Sequence, residues 1–241
     1  MTKIFRNIRQ SFLSEGKTSN YFKYAIGEIL LVMIGILLAL EVSNWSDERK
    51  EEKLELALLA ELVENLNDDM KDIEENTRIQ QGAIRGANIV LIHFENNLPY
   101  PDSLKKHFSR IALEPPVLLN KTAYSSLVQE GMRIVKNDSL RRAISIKYES
   151  HYKFLERFNE NQFEGVFQHH REINLKYFRK FMPFKYLEPV HYEQLRKDEL
   201  YINYLYNTIG WLETSIRLYD EHIQADRKLI EAIKRELKKR G

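Results

Sequence analysis

Residues 24–45, YAIGEILLVMIGILLALEVSNW, constrain this chain more than any other stretch. The inner run Ile29–Leu40 carries no polar or charged side chain. In a helix these 22 residues reach ~33 Å at ~1.5 Å per residue, enough to cross a bilayer core of ~30 Å. Tyr24 and Trp45 stand at the two ends, where interfacial aromatics anchor a span. The stretch therefore predicts one transmembrane helix in contact with the lipid bilayer.

Charge gives the span a direction. Lys3, Arg6, Arg9, Lys17 and Lys23 precede it, against Glu15 alone. In residues 46–65, Arg49, Lys50 and Lys53 face seven acidic residues. A Lys/Arg excess marks the cytoplasmic side. The expected organisation is a basic cytoplasmic segment at 1–23, a transmembrane helix at 24–45 and an extracytoplasmic domain at 46–241. In a bacterium this is a single-pass inner-membrane protein with a periplasmic body. A cleaved signal peptide is the competing reading, but no A-x-A site follows Leu40. Residues 3–13 place Ile4, Phe5, Ile8 and Phe12 on one helical side, so this segment either lies along the inner leaflet or simply sets topology.

Two acids, Glu28 and Glu41, lie near the ends of the span. An intramembrane carboxylate is a functional candidate, although residues this close to the boundary also reach the headgroups. Gly35, Ala39 and Ser43 form a small-residue stripe, and Glu28 falls within ~20° of Gly35 on a helical wheel. Glu28, Gly35, Ala39 and Ser43 thus make one face suited to helix–helix association.

Residues 46–241 carry 32 Lys/Arg and 32 Asp/Glu. A charge-balanced body argues against a nucleic-acid partner. The absence of cysteine excludes disulfides, thiolate metal sites and a cysteine nucleophile.

Apolar periodicity supplies the fold. Leu59, Leu62, Leu66, Met70, Ile73, Thr77, Gln80, Ile84, Ala87 and Leu91 step by threes and fours, predicting a helix that continues from the span to about Asn96. Gly82 and Gly86 weaken it. Asp102 or Ser103 is expected to cap a short helix over 103–112, and Asn120 another that ends at Gly131. Asp138 or Ser139 should cap a long helix running to about Met182, with Pro183 and Pro189 making a connection. A last helix, about Asp198 to Lys239, places Tyr201, Leu205, Ile209, Leu212, Ile216, Tyr219, Ile223, Ile230 and Ile233 in heptad-like steps. The expected class is all-α: one transmembrane helix, then an antiparallel bundle of three long helices plus one or two short ones.

Chemistry is sparse. The seven histidines are scattered, and only Glu188-Pro-Val-His191 has the spacing of a helical metal motif, interrupted by its proline. His222 and Asp226 stand four apart on the inner face of the last helix. They are either a ligand pair or a buried His–Asp pair, the commoner arrangement inside a bundle. His151 and His169 could join them. No GxSxG, HExxH or phosphate loop is present, so neither catalysis nor a cofactor is expected. Tyr201, Tyr204, Tyr206 and Tyr219 cannot all face one way, which leaves tyrosines for an exposed patch or rim.

The block IFRNIRQSFLSEGKTSNYFKYAIGEILLVMIGILLALEVSNWSDERKEE resembles the opening of an uncharacterised family of bacterial single-span membrane proteins, a domain of unknown function with a YAIGEIxLVxIGILIALxxxNW segment. The later TAYSSLVQEGMRIVKNDSLRRAISIKYESHY resembles the same family more loosely. The resemblance makes Glu28, Gly35 and Trp45 parts of a family pattern and implies no activity. The function expected is a membrane-anchored helical interaction or scaffold protein of the bacterial envelope, binding a protein partner or itself. The alternatives are a ligand-sensing bundle and a subunit of an oligomeric channel or transporter that uses Glu28.

Overall fold

The structure, a computed structural model, describes residues 18–112 and 117–240, leaving aside the side chains of 18–22, 24 and 161–167. The amphipathic segment 3–13, the Tyr24 side chain and the side chains of residues 161–167 in the helix expected to reach Met182 lie outside the described residues. The described residues are all-α apart from one small hairpin. It divides into two compact units, Met1–Leu54 and Glu55–Gly241.

Helix α1 is Thr18–Glu95. In the first unit its apolar side chains stand in the open: Ile29, Leu31, Leu38 and Val42 each keep more than 60% of their surface, and none of the 18-residue apolar window is buried. Among the described residues, one helix is long and apolar enough to cross a membrane. Trp45 is exposed, with the Arg49 guanidinium 4.3 Å above its ring.

The second unit is the folded body. Residues 55–95 of α1 bury Leu59, Leu62, Leu66, Ile73, Ala83, Ala87, Val90 and Leu91, each leucine, isoleucine and valine contributing about 1.5–3 kcal/mol as it leaves water. After α1 come α2 (Leu104–Ile111), α3 (Thr122–Glu130) and a 3-10 turn (Met132–Ile134). The chain then continues through α4 (Asp138–Ile146), a π-helical turn (Lys147–Tyr152) and α5 (Lys153–Tyr177). Strands β1 (Phe178–Met182) and β2 (Tyr186–Pro189), the short α6 (Tyr192–Leu195) and α7 (Glu199–Arg240) complete it. Two main cores result. One gathers Leu59, Leu62 and Leu66 with Leu140, Ile144 and Tyr152, and with Leu229 and Ile233 of α7. The other packs Val90, Leu91 and Phe94 against Phe108, Phe178, Tyr201 and Leu205.

The structure differs from the expected elements at several helix ends. Asn137, not Asp138 or Ser139, caps α4: its Oδ1 accepts from Ser139 N and Leu140 N, both at 3.1 Å. Ser103 precedes α2 without a side-chain cap. Asp198 caps α7 by accepting from Leu200 N at 3.0 Å and Tyr201 N at 3.2 Å. The helix expected to reach Met182 stops at Tyr177, because Phe178–Met182 pairs antiparallel with Tyr186–Pro189. Pro183 and Phe184 (φ 59°) occupy the centre of a turn closed by Lys185 N donating to Met182 O at 3.1 Å, the pattern of a type II turn. Ser109 Oγ donates to Met182 O at 2.9 Å and ties the hairpin to α2. Gly86 has a packing reason to be glycine: a Cβ there would lie 3.1 Å from His107 O and 3.6 Å from Ile111 Cγ1. The four tyrosines that cannot all face one way divide accordingly: Tyr201, Tyr204 and Tyr219 are core, and Tyr206 is exposed, donating to Glu95 Oε1 at 3.0 Å.

Candidate functional site

The chemically richest place in the body is the π-helical turn. An α-helix turns ~100° per residue, so residues five apart lie ~140° apart on its wheel. The wider i→i+5 turn brings them to one side. Lys147, Tyr148 and Tyr152 accordingly all point inward, while Glu149, Ser150 and His151 stay outside. Single π turns occur often at functional sites.

Lys147 Nζ lies 2.6 Å from Asp226 Oδ1 and donates to His222 O at 3.3 Å, 5.0 Å from the Tyr152 ring centre. Tyr152 OH donates to Asp69 Oδ2 in a short hydrogen bond, and Asn120 N donates to Asp69 Oδ1 at 2.7 Å. His222 Nε2 is 3.4 Å from Asp226 Oδ2, and its ring stands 5.0 Å from that of Tyr152. Tyr148 stacks on Tyr124 at 4.3 Å with the rings 4° from parallel, and Tyr124 OH donates to Glu149 Oε1 at 2.8 Å. Asn65 Oδ1 accepts from Ala123 N at 3.0 Å, joining α3 to the same side of α1.

Burial dominates the electrostatics here. It pushes the Asp226 carboxyl up to about 6, against the pull of Lys147, and pushes Lys147 below the usual lysine range, against the pull of Asp226 and Asp69. Asp69 is raised by burial, countered by the Tyr152 and Asn120 hydrogen bonds. Burial, with Lys147 and His151 nearby, lowers His222 to about 3, so its imidazole is neutral. A neutral histidine at 3.4 Å is a weak partner, and the strong partner of Asp226 is Lys147. The cluster is a closed ionic and hydrogen-bonded clamp between α1, the π turn and α7. Lys147 and Asp226 are enclosed, so neither can reach a substrate as a nucleophile or base.

The other expected residues fall elsewhere. His151 lines a cleft of about 190 Å³ with Phe154, Glu221 and His222. His169 packs 5.9 Å from Tyr204 and does not join His222. Glu188 and His191 form no metal centre, and among the described residues no cluster of three or more His, Asp or Glu could hold a metal ion. In the first unit, Gly35, Ala39 and Ser43 are exposed, Glu28 is half-buried, and nothing lies within 4 Å of a Cβ built on Gly35. Lys147, Asp69 and Tyr152 escaped sequence reasoning. Their signal was a charge set in an apolar stripe: Asp69 between Leu66 and Ile73, Lys147 between Ile144 and Tyr148.

No curated protein and no solved structure matches this sequence. One family description does, over residues 28–182, from within the exposed apolar segment through the π turn to the end of β1. That stretch is well over half of the chain, and the protein belongs to the family of unknown function DUF6090.

Proposed function

We propose that this protein is a membrane-tethered helical interaction module of a bacterial envelope. Residues 24–45 are its single uncleaved span, 1–23 lie on the cytoplasmic side, and 46–241 form a body that binds a protein partner or a second copy. The observation that carries this reading is the uncovered apolar surface of residues 25–45. An exposed apolar area of this extent requires lipid or another helix to cover it. A binding rather than a catalytic role for the body is supported by the enclosure of Lys147 against Asp226 and of Tyr152 against Asp69.

The cysteine-free sequence makes the test direct. Single variants Ser11→Cys and Lys234→Cys are to be labelled in intact cells with a membrane-impermeant maleimide. Labelling at 234 alone, with the chain retained in the membrane after carbonate extraction, supports the reading. Labelling at 11 alone, or release into the soluble fraction, overturns it. Copurification after mild solubilisation then tests for the partner. A chain that runs alone and monomeric removes the scaffold part.

A further inference from the structure

A groove of about 480 Å³ opens between the C-terminal part of α5, the hairpin and the end of α2. This is within the ~300–1,000 Å³ range of small-molecule sites. Leu175, Phe178 and Phe181 supply apolar wall, and Arg171, Arg179 and Lys180 supply positive charge. Leu175 is 74% exposed and Phe181 50%, so the apolar wall is open to solvent. His170 lines the groove with its side chain buried edge-on against Tyr204, and burial lowers it to about 4, so it adds a neutral surface.

The hairpin is distorted in a way that builds this wall. Successive side chains of a regular strand point to opposite faces. Here the register slips between Arg179 and Met182, and Lys180 sits at φ 55°, a left-handed conformation that costs a non-glycine residue free energy. The bulge lets Arg179, Lys180 and Phe181, three neighbours in sequence, line the same groove. One carboxylate opposes them. Glu188 Oε2 lies 3.7 Å from both Arg179 Nε and Lys180 Nζ, beyond hydrogen-bonding length, while its Oε1 is 3.2 Å from Lys105 Nζ.

We propose that this groove binds an amphiphilic anion, with a carboxylate or phosphate head at Arg171, Arg179 and Lys180 and an alkyl chain along Leu175, Phe178 and Phe181. Three cations around one face match an anionic head, and the solvent-open aromatic and aliphatic surface matches a chain. The inference stands on the body alone and does not require the membrane topology.

The test uses the full chain in phosphatidylcholine nanodiscs with a diazirine-bearing dodecanoic acid, mapping the photolabelled peptides. Label in residues 168–190 is expected, displaced by dodecanoate and dodecyl phosphate but not by dodecanol or inorganic phosphate. Arg171→Glu with Lys180→Glu should cut this label about tenfold, as the loss of charge-assisted hydrogen bonds implies. Leu175→Asp, at a solvent-facing position, should do the same without altering the thermal melt. Label confined to residues 24–45, equal displacement by dodecanol, or full label in both variants overturns the proposal. Replacing part of the phosphatidylcholine by phosphatidylglycerol identifies the source of the head. Reduced label assigns the groove to a bilayer lipid, and unchanged label assigns it to a free amphiphile. A chain that fails to enter the discs but labels at 168–190 in buffer sinks the tether and keeps the groove.

Discussion

Lys147 Nζ and Asp226 Oδ1 meet at 2.6 Å, with 3% and 0% of their side-chain surfaces in solvent. Their pairing fastens the π turn to α7. Removing one partner of a buried ion pair costs about 3–5 kcal/mol, because the other is left charged in a dry place. Lys147→Met should therefore destabilise the body by about that amount in urea denaturation. Lys147→Met combined with Asp226→Leu should recover most of the loss. Additive losses in the double variant would show that the two side chains act independently.

The acid limb of stability should carry the mark of His170. Its folded-state value, about 4, lies below the 6.5 of a free histidine because of burial. Between these limits the unfolded chain takes up a proton that the folded chain refuses, so acidification favours unfolding. From pH 6.5 to 4 the loss from this group is on the order of 3 kcal/mol. Asp226, raised to about 6, works with the opposite sign, gaining stability as pH falls from 6 toward 3.8. The quantity to measure is the difference in unfolding free energy between wild type and His170→Phe across this range. It should fall steadily on acidification, and a flat difference would refute the assignment.

Gly82 and Gly86 sit one turn apart in α1 and should respond oppositely to alanine. The nearest atom to a Cβ on Gly82 is a flexible Arg85 Nη2 at 4.0 Å, so Gly82→Ala should stabilise by about 0.5–1 kcal/mol through helix propensity. At Gly86 the Cβ meets the His107 carbonyl at 3.1 Å, so Gly86→Ala should lose that gain and push α2 outward. Thermal melts of the two variants settle the contrast. Equal stabilisation would mean that α2 yields freely.

Self-association through the span should depend on its small-residue stripe. Gly35→Ile with Ala39→Ile should weaken the signal in a membrane two-hybrid assay while leaving the melt of the body unchanged, since among the described residues nothing lies within 4 Å of a Cβ on Gly35. An undiminished signal would place the contact elsewhere.

The sequence made the long helices legible because their apolar steps persist over many turns. Leu59 to Leu91 and Tyr201 to Ile233 bury most of the stripe their spacing marks, with Met70, Thr77, Ile84, Ile209 and Ile216 half-buried. The hairpin was hidden, since Phe178–Met182 contains no helix breaker and its strand partner follows only after Pro183. The clamp was hidden for another reason. His222 and Asp226 are near in sequence and were found, whereas Lys147 reaches Asp226 from 79 positions away, and Asp69 reaches Tyr152 from 83. Nothing in a periodic pattern announces the inserted residue of a π turn, and without that turn Lys147 and Tyr152 belong on different faces.

The six residues Lys147–Tyr152 also act as a phase setter for everything that follows them on the same helical run. Upstream, Leu140 and Ile144 are keyed to one core, and downstream, Leu155 is keyed to another. Deleting the inserted residue here would restore ordinary pitch and leave the remainder of the run in place, whereas deleting one residue beyond it, with the turn kept, would swing the remainder by about 100°. Arg171 would keep its place beside the hairpin in the first case and turn away from it in the second, although no atom near it had been changed in either.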